Sequence, residues 1–131
     1  MAEPQKTYVA YSPWVPGAEE LARALVQRLC QLGPSRACSL LELEQLQQEL
    51  HGIRFLATVG GDGTILQAVR VTAPLEVPLV GVNLGRVGFM AELSAEQALE
   101  GICSYLQEDI WLEKRSMLQA KVLSGQATPP V

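Results

Sequence analysis

Blocks of apolar and polar residues alternate along this 131-residue chain, and their spacing predicts strands and helices in turn. Residues 6–11 carry a short apolar run that predicts a strand, and the prolines and glycine of residues 12–17 end it. Apolar residues then recur at helical spacing, which predicts a helix over residues 18–32 that stops at Gly33-Pro34. The chain thus begins with a strand and a helix joined by a turn-rich loop.

The next block repeats this order of strand and helix. Residues 36–40 predict a short second strand. Leu43, Leu46 and Leu50 then recur at helical spacing and predict a second helix that ends at Gly52.

The middle of the chain contains the most apolar stretch. Residues 53–59 are nearly all apolar and β-prone, which predicts a strand covered on both faces. The residues after Thr64 suit a helix, Pro74 and Pro78 bracket a connection, and residues 79–82 predict another buried strand.

A last helix is predicted after Ser94, because Ser94 and Gln97 have the spacing of a capping box. The apolar residues that continue this helix on one face are Ala95, Ala98, Leu99, Ile102 and Leu106. The resulting order of strand and helix, repeated along the chain, predicts an α/β fold: a three-layer, Rossmann-like domain around a parallel sheet.

The C-terminal residues depart from this pattern. Residues 111–123 lose the helical spacing, and Leu118, Ala120 and Val122 alternate with polar residues as in a half-buried strand. We therefore predict an α/β domain over residues 1–110, followed over residues 111–131 by the start of a strand.

Composition and charge narrow the classes of function. Apolar residues make up 48% of the chain, and the net charge of −4 argues against a large basic face for nucleic acid. We expect no membrane association, because no segment approaches the length of a span and no signal-peptide pattern opens the chain. Cys30, Cys38 and Cys103 are odd in number and form no Cys-x-x-Cys pair, which indicates reduced thiols and a cytoplasmic protein. His51 precedes Gly52 at a predicted helix end and suits a dipole partner better than a metal ligand.

Candidate chemistry lies between the apolar strand and the helix that follows it. Gly60, Gly61 and Gly63 permit unusual backbone angles and close approach of a ligand, and Thr64 suits a helix cap. Free N–H groups and the helix dipole at such a position favour phosphate. Asp62 would repel phosphate, so it needs a separate explanation. It could accept a proton from a substrate hydroxyl, hold a metal ion, or simply stabilise the turn.

A second glycine-rich segment follows the next strand. Gly60 to Thr64 resembles the Gly-Gly-Asp-Gly-Thr signature shared by NAD kinases, diacylglycerol-type lipid kinases and phosphofructokinases. Gly81 to Phe89 resembles the Gly-x-Asn-x-Gly-x-x-Gly-Phe motif of NAD kinases, and it stands at the expected distance downstream. The two motifs together identify the chain as resembling the NAD kinase family.

This resemblance implies transfer of phosphate from ATP, or from polyphosphate in some bacterial members, to the adenosine ribose 2′-hydroxyl of NAD, giving NADP. It also implies a divalent metal, with Mg²⁺ the expected ion. Asp62 matches the residue that acts as base or orienter for the hydroxyl. The phosphate loop is matched by Gly60, Gly61, Gly63 and Thr64.

The resemblance assigns further substrate contacts downstream. Asn83 and Phe89 match the second motif, and Phe89 matches a residue that packs near the adenosine. For both residues a structural role is the alternative, core packing for Phe89 and loop formation for Asn83. Gln67 is a departure, since many relatives have a basic residue there, and any contact it makes would be weaker or neutral.

NAD kinases also have a β-rich second domain with an Asn-Glu pair, and no such segment follows here. We therefore expect an N-terminal fragment that is inactive alone, taken from a full-length protein that forms homo-oligomers.

Two alternatives remain open from the sequence. A diacylglycerol-type lipid kinase shares the first motif, although the segment from Gly81 to Phe89 argues against it. A non-catalytic interaction module is the other, with the predicted strand over residues 118–122 pairing with another chain. No Walker-type phosphate loop occurs, and the first strand is not followed by the glycine pattern of NAD-dependent dehydrogenases.

Overall fold

The strands of the domain form one parallel sheet. The structure is a computed structural model that describes residues 5–85, 90–107 and 112–123. Within those ranges the sheet has five strands in the order β2-β1-β3-β4-β5. The strands are β1 (Thr7–Tyr11), β2 (Ser35–Ser39), β3 (Phe55–Gly60), β4 (Leu79–Asn83) and β5 (Leu93–Ser94). All four pairings are parallel, so the predicted α/β fold with a parallel sheet is confirmed.

Helices connect these strands and cover the sheet. They are α1 (Ala18–Leu29), a 3-10 helix (Leu40–Leu46), α2 (Gln47–Leu50), α3 (Asp62–Leu75), α4 (Ala95–Gly101) and α5 (Ser104–Gln107). Among the described residues, none of the helices combines the length and the hydrophobicity needed to cross a membrane.

The two faces of the sheet hold separate hydrophobic clusters. Val9 and Phe55 point to the face covered by α1 and α4. Tyr8 and Leu56, their neighbours along the same strands, point to the face covered by α3 and the 3-10 helix. This alternation follows from the period of two along a strand, and it produces the predicted three layers.

Strand order places a topological switch point between β1 and β3. Tyr11 at the end of β1 is level with Val59 near the end of β3. The chain leaves β1 towards β2 and leaves β3 towards β4, so the two connections diverge at the carboxyl edge, the place where open α/β sheets form a ligand crevice. Open α/β sheets bind their ligands at such a point.

Several predicted element ends were wrong. α1 ends at Leu29, short of residue 32. The predicted second helix is divided into the 3-10 helix and α2; the 3-10 helix starts at a Ser39 capping box with Glu42. Pro74 lies inside α3, not in a connection after it. The helix ends one residue later, and Glu76 after it adopts a left-handed conformation with φ 55°.

The strand predicted over residues 118–122 was also wrong. Residues 112–123 form no regular secondary structure and are exposed throughout. Leu118 is 97% exposed, so the alternating side chains have no apolar surface to cover them in the described part of the chain. The short strand β5 was missed, since its two residues are too few to show a pattern.

Candidate active site

Backbone hydrogen bonds join the loops at the carboxyl edge of the sheet. The N–H of Ser12, just after β1, donates to the carbonyl of Val59 at 3.0 Å. The N–H of Leu84, just after β4, donates to the carbonyl of Gly60 at 2.9 Å. Asn83 is the register partner of Gly60. The loops after β1, β3 and β4 therefore form one connected edge, with the Gly60 loop at its centre.

Gly60 is a glycine because its surroundings leave no room for a side chain. It is buried at the end of β3, and a Cβ there would collide with the Thr64 hydroxyl and lie 3.2 Å from the Cβ of Ser12. Contacts of that length force neighbouring atoms to move. The tight turn between β3 and α3 thus depends on the missing side chain.

Gly61 and Gly63 have the opposite environment. A Cβ at either position would meet nothing within 4 Å. Neither residue, nor Gly60, is among the positive-φ glycines of the described chain, so the prediction that they supply unusual backbone angles was wrong. Gly61 and Gly63 instead leave bare backbone beside open space, which permits the close approach of a ligand.

Asp62 is the first residue of α3 and is half-buried. Its Oδ1 accepts a hydrogen bond from the backbone N–H of Met90 at 3.1 Å. A carboxylate in the first turn of a helix is stabilised by the helix dipole. The bond to Met90 fixes the direction of the carboxylate beside the open space at Gly61 and Gly63.

Thr64 is buried in the first turn of α3. The sequence predicted it at the N-cap position, and this prediction was wrong. α3 begins earlier, with Gly61 at the N-cap position. The Thr64 hydroxyl lies 3.4 Å from the Gly61 nitrogen and accepts its N–H. Thr64 therefore holds the turn closed from within the helix, which is a structural function in this molecule.

The remaining predicted site residues are divided between the edge and its surroundings. Asn83 ends β4, half-buried and beside Gly60, and it belongs to the connected edge. Gln67 is exposed on α3, about 140° around the helix from Asp62. Phe89 lies outside the described residues. The structure thus brings Asn83 to the first motif and leaves Gln67 on the outer surface of α3.

The sequence analysis did not predict that Gly81 and Ser12 help to shape the site. A Cβ on Gly81 would lie 2.7 Å from Cδ1 of Ile65 and 3.1 Å from Cα of Ala91. A glycine inside an apolar strand is a signal of close backbone approach, and it could have predicted this packing. Ser12 is 5% exposed and lies against Gly60, where the sequence favoured a plain loop.

Tyr11 ends β1 beside the crevice. Partial burial, and then the nearby carboxylate of Glu19, raise the pKa of its phenol above the ordinary value. The phenol is therefore protonated at neutral pH, which excludes Tyr11 as a general base.

The fold and this edge define a class of domain. A doubly wound α/β sheet with glycine-rich loops at its switch point belongs to the α/β domains that bind ligands at the carboxyl ends of their strands. Residues 13–110 match the family model described as the ATP-NAD kinase N-terminal domain. The chain belongs to this family, and the resemblance seen in its motifs is confirmed.

Its curated relatives are called NAD kinases. The chain is 39% identical over 120 residues to the NAD kinase of Dehalococcoides mccartyi strain BAV1, covering 91% of this chain and 42% of the relative. It is 34% identical over 88 residues to that of Carboxydothermus hydrogenoformans, covering 67% and 31%. With the Natranaerobius thermophilus NAD kinase the identity is 48% over 65 residues, covering 50% and 23%. The chain spans less than half the length of these relatives.

Proposed function

We propose that the chain forms the catalytic edge of an NAD kinase, which transfers phosphate to the adenosine ribose 2′-hydroxyl of NAD to give NADP. The observation that carries this proposal is the position of Asp62. Its carboxylate is fixed by Met90 at the head of α3, next to glycines that face open space. Membership of the ATP-NAD kinase N-terminal domain family supports the choice of substrates.

Asp62 has the chemistry that the reaction needs. A ribose hydroxyl holds its proton at neutral pH and is a poor nucleophile. A carboxylate within hydrogen-bond reach orients the hydroxyl and takes its proton as the new bond to phosphorus forms. Because Met90 fixes the carboxylate, the base is pre-oriented and needs little rearrangement at the moment of reaction.

The bare backbone at Gly63 is the proposed contact for phosphate, because the Gly61 N–H already donates to the Thr64 hydroxyl. The first N–H groups of a helix have no partner within the helix and favour anions. The proposed donor is ATP, with polyphosphate as an alternative, since both present phosphate oxygens to the same backbone. Phosphoryl transfer depends chiefly on such positioning and on charge stabilisation.

A divalent metal, expected to be Mg²⁺, would find the carboxylate of Asp62 at this edge. In the described ranges, no three His, Cys, Asp or Glu side chains come together as a metal-binding group. Mg²⁺ in kinases is held by one or two carboxylates together with substrate phosphates. Asp62 is the residue that would contact it, and the metal would neutralise charge on the transferred phosphate.

We also propose that the 131 residues alone are inactive. The support is their coverage of the relatives, which reaches 42% for Dehalococcoides mccartyi. One side of a dinucleotide cleft would position the two substrates poorly. We propose in addition that the whole protein is cytoplasmic and forms homo-oligomers. The free thiols of the three cysteines agree with a reducing compartment.

A segment exchange tests the proposal. The matched segment of the Dehalococcoides mccartyi enzyme is replaced by the corresponding part of this chain, and NADP formation is followed with an NADP-specific dehydrogenase. The parent enzyme is the positive control, and the same chimera with Asp62→Asn is the negative control. We expect NADP from the first chimera and a loss of about 10²–10⁴-fold in the second. A chimera with a cooperative thermal transition that makes no NADP would show the proposal to be wrong.

A further inference from the structure

Trp14 is a large aromatic side chain that remains exposed at the carboxyl edge of the sheet. It lies in the loop between β1 and α1, and 64% of its surface is accessible. Tyr8 and Phe55, by contrast, are almost completely buried. An exposed Trp forgoes the large favourable free energy that burial of its ring would give.

The loop that carries Trp14 is hydrogen-bonded to β3 and lies close to the residue after β4. At one end, the Ser12 N–H donates to the Val59 carbonyl at 3.0 Å. At the other end, a Cβ on Gly17 would lie 3.7 Å from the side chain of Leu84. Trp14 therefore lies on a loop at the same carboxyl edge of the sheet as the Gly60 loop.

The loop is also conformationally restricted. Pro13 and Pro16 flank Trp14 closely and fix their own φ angles. Val15 packs against the hydrophobic cluster under α1, and Gly17 takes a left-handed φ of 83°. A ring on such a loop binds a ligand with little further loss of conformational entropy.

We propose that Trp14 stacks on the adenine ring of a nucleotide bound in the crevice. This inference rests on the proposed function, which supplies adenine nucleotides as substrates. Every base has a π-face, and an exposed indole at the rim of a phosphate-binding edge offers a matching surface.

The test compares a ligand that has the ring with one that lacks it. The full 131-residue chain is titrated with ADP and with inorganic pyrophosphate by calorimetry, as wild type, Trp14→Ala, Trp14→Phe and Leu32→Ala. Leu32 is the control because it is an exposed apolar residue, 39% accessible, at the opposite edge of the sheet. The indole N–H signal of Trp14, assigned by its loss in Trp14→Phe, is followed by NMR in the same titrations.

We expect Trp14→Ala to weaken ADP binding by about 5- to 150-fold and to leave the response to pyrophosphate unchanged. Trp14→Phe should retain part of the affinity, and Leu32→Ala should match the wild type. Equal ADP affinity in wild type and Trp14→Ala would overturn the stacking role and leave the proposed function standing. An equal loss for ADP and pyrophosphate would also overturn it, since that result indicates a change in loop shape. If the wild type binds neither ADP nor pyrophosphate, the inference and the proposed phosphate contact fall together.

Discussion

Oδ1 of Asp62 lies 3.1 Å from the backbone nitrogen of Met90 and accepts its hydrogen. Asp62 opens α3, and Met90 directly follows the second glycine-rich segment. This hydrogen bond therefore adds a side-chain link to the backbone bond from Leu84 to Gly60, which already joins the two motifs. The motifs were recognised separately in the sequence, where nothing indicated a bond between them. Their contact makes the orientation of the proposed base dependent on the conformation of the second segment.

Replacement of Asp62 by Asn distinguishes a role as proton acceptor from a role in holding the turn. The Asn oxygen can still accept the Met90 N–H, but the amide cannot take a proton. In the segment-exchange enzyme, Asp62→Asn should lower kcat by about 10²–10⁴-fold with little change in KM, while the melting temperature stays close to that of the parent. Steady-state kinetics and thermal unfolding measure both quantities. Near-normal kcat together with a much lower melting temperature would assign Asp62 to turn stability alone.

Gly60→Ala and Gly63→Ala form a matched pair with opposite expected effects on stability. The new Cβ at Gly60 collides with the Thr64 hydroxyl and approaches Ser12, so we expect destabilisation of about 1–3 kcal/mol. Gly63 lies inside α3 with nothing within 4 Å of a Cβ, so alanine should stabilise the helix by about 0.5–1 kcal/mol. Urea unfolding of both variants against the wild type tests these values.

The same Gly63→Ala variant tests the phosphate contact. Its methyl group would occupy the space beside the bare backbone, so we expect weaker binding of ATP in spite of higher stability. Calorimetry on the segment-exchange enzyme measures the affinity. Binding unchanged by the methyl group would place the phosphate elsewhere.

Gly81→Ala should destabilise the domain by about 1–3 kcal/mol, because its Cβ would lie 2.7 Å from Cδ1 of Ile65. Ile65→Val removes that carbon atom. The double variant should therefore be less destabilised than the sum of the two single variants, although the contact with the Ala91 backbone at 3.1 Å remains. A double-mutant cycle by chemical denaturation gives the coupling. If the destabilisations of the two single variants simply add, the Ile65 side chain is not what the new Cβ at Gly81 clashes with.

Cys38 should make stability fall at high pH. Burial raises the pKa of its thiol from 9.0 to about 12. Between these values the unfolded chain releases the proton while the folded chain keeps it, so stability is full below pH 9 and is lost as pH rises towards 12. Within that window the Cys38 thiol lowers the free energy of unfolding by about 1.4 kcal/mol for each pH unit. Cys38→Ala lacks the thiol and should show a shallower slope in urea unfolding from pH 9 to 10.5; equal slopes would contradict the assignment.

Periodic patterns predicted the elements well where packing and propensity agree. The buried strand before Gly60 and the Ser94 capping box of α4 were both confirmed. The C-terminal strand over residues 118–122 was wrong because alternation indicates a strand only when another surface covers one side. The start of α3 was misplaced because the glycines suggested a loop, whereas Gly63 continues the helix.

Site geometry was less predictable than site composition. The glycine-rich loop and Asp62 were identified from residue types, and the assignment of Asp62 as the base stays a prediction. The Met90 contact and the crowding at Gly60 arise from segments distant in sequence, and no local pattern encodes such proximity. Ser12 lacked a sequence signal for the same reason, since its burial depends on β3 lying beside β1.

The bond from the Ser12 N–H to the Val59 carbonyl has a consequence for hydrogen exchange. That amide is protected only while β1 and β3, which are distant in sequence, remain paired. Exchange at Ser12 should therefore require separation of the central strands, whereas the exposed N–H of Gly63, in the first turn of α3, should exchange without any opening of the sheet. The rim of the crevice would then be as long-lived as the centre of the sheet, while the first turn of α3 exchanges its hydrogen many times within each lifetime of the folded state.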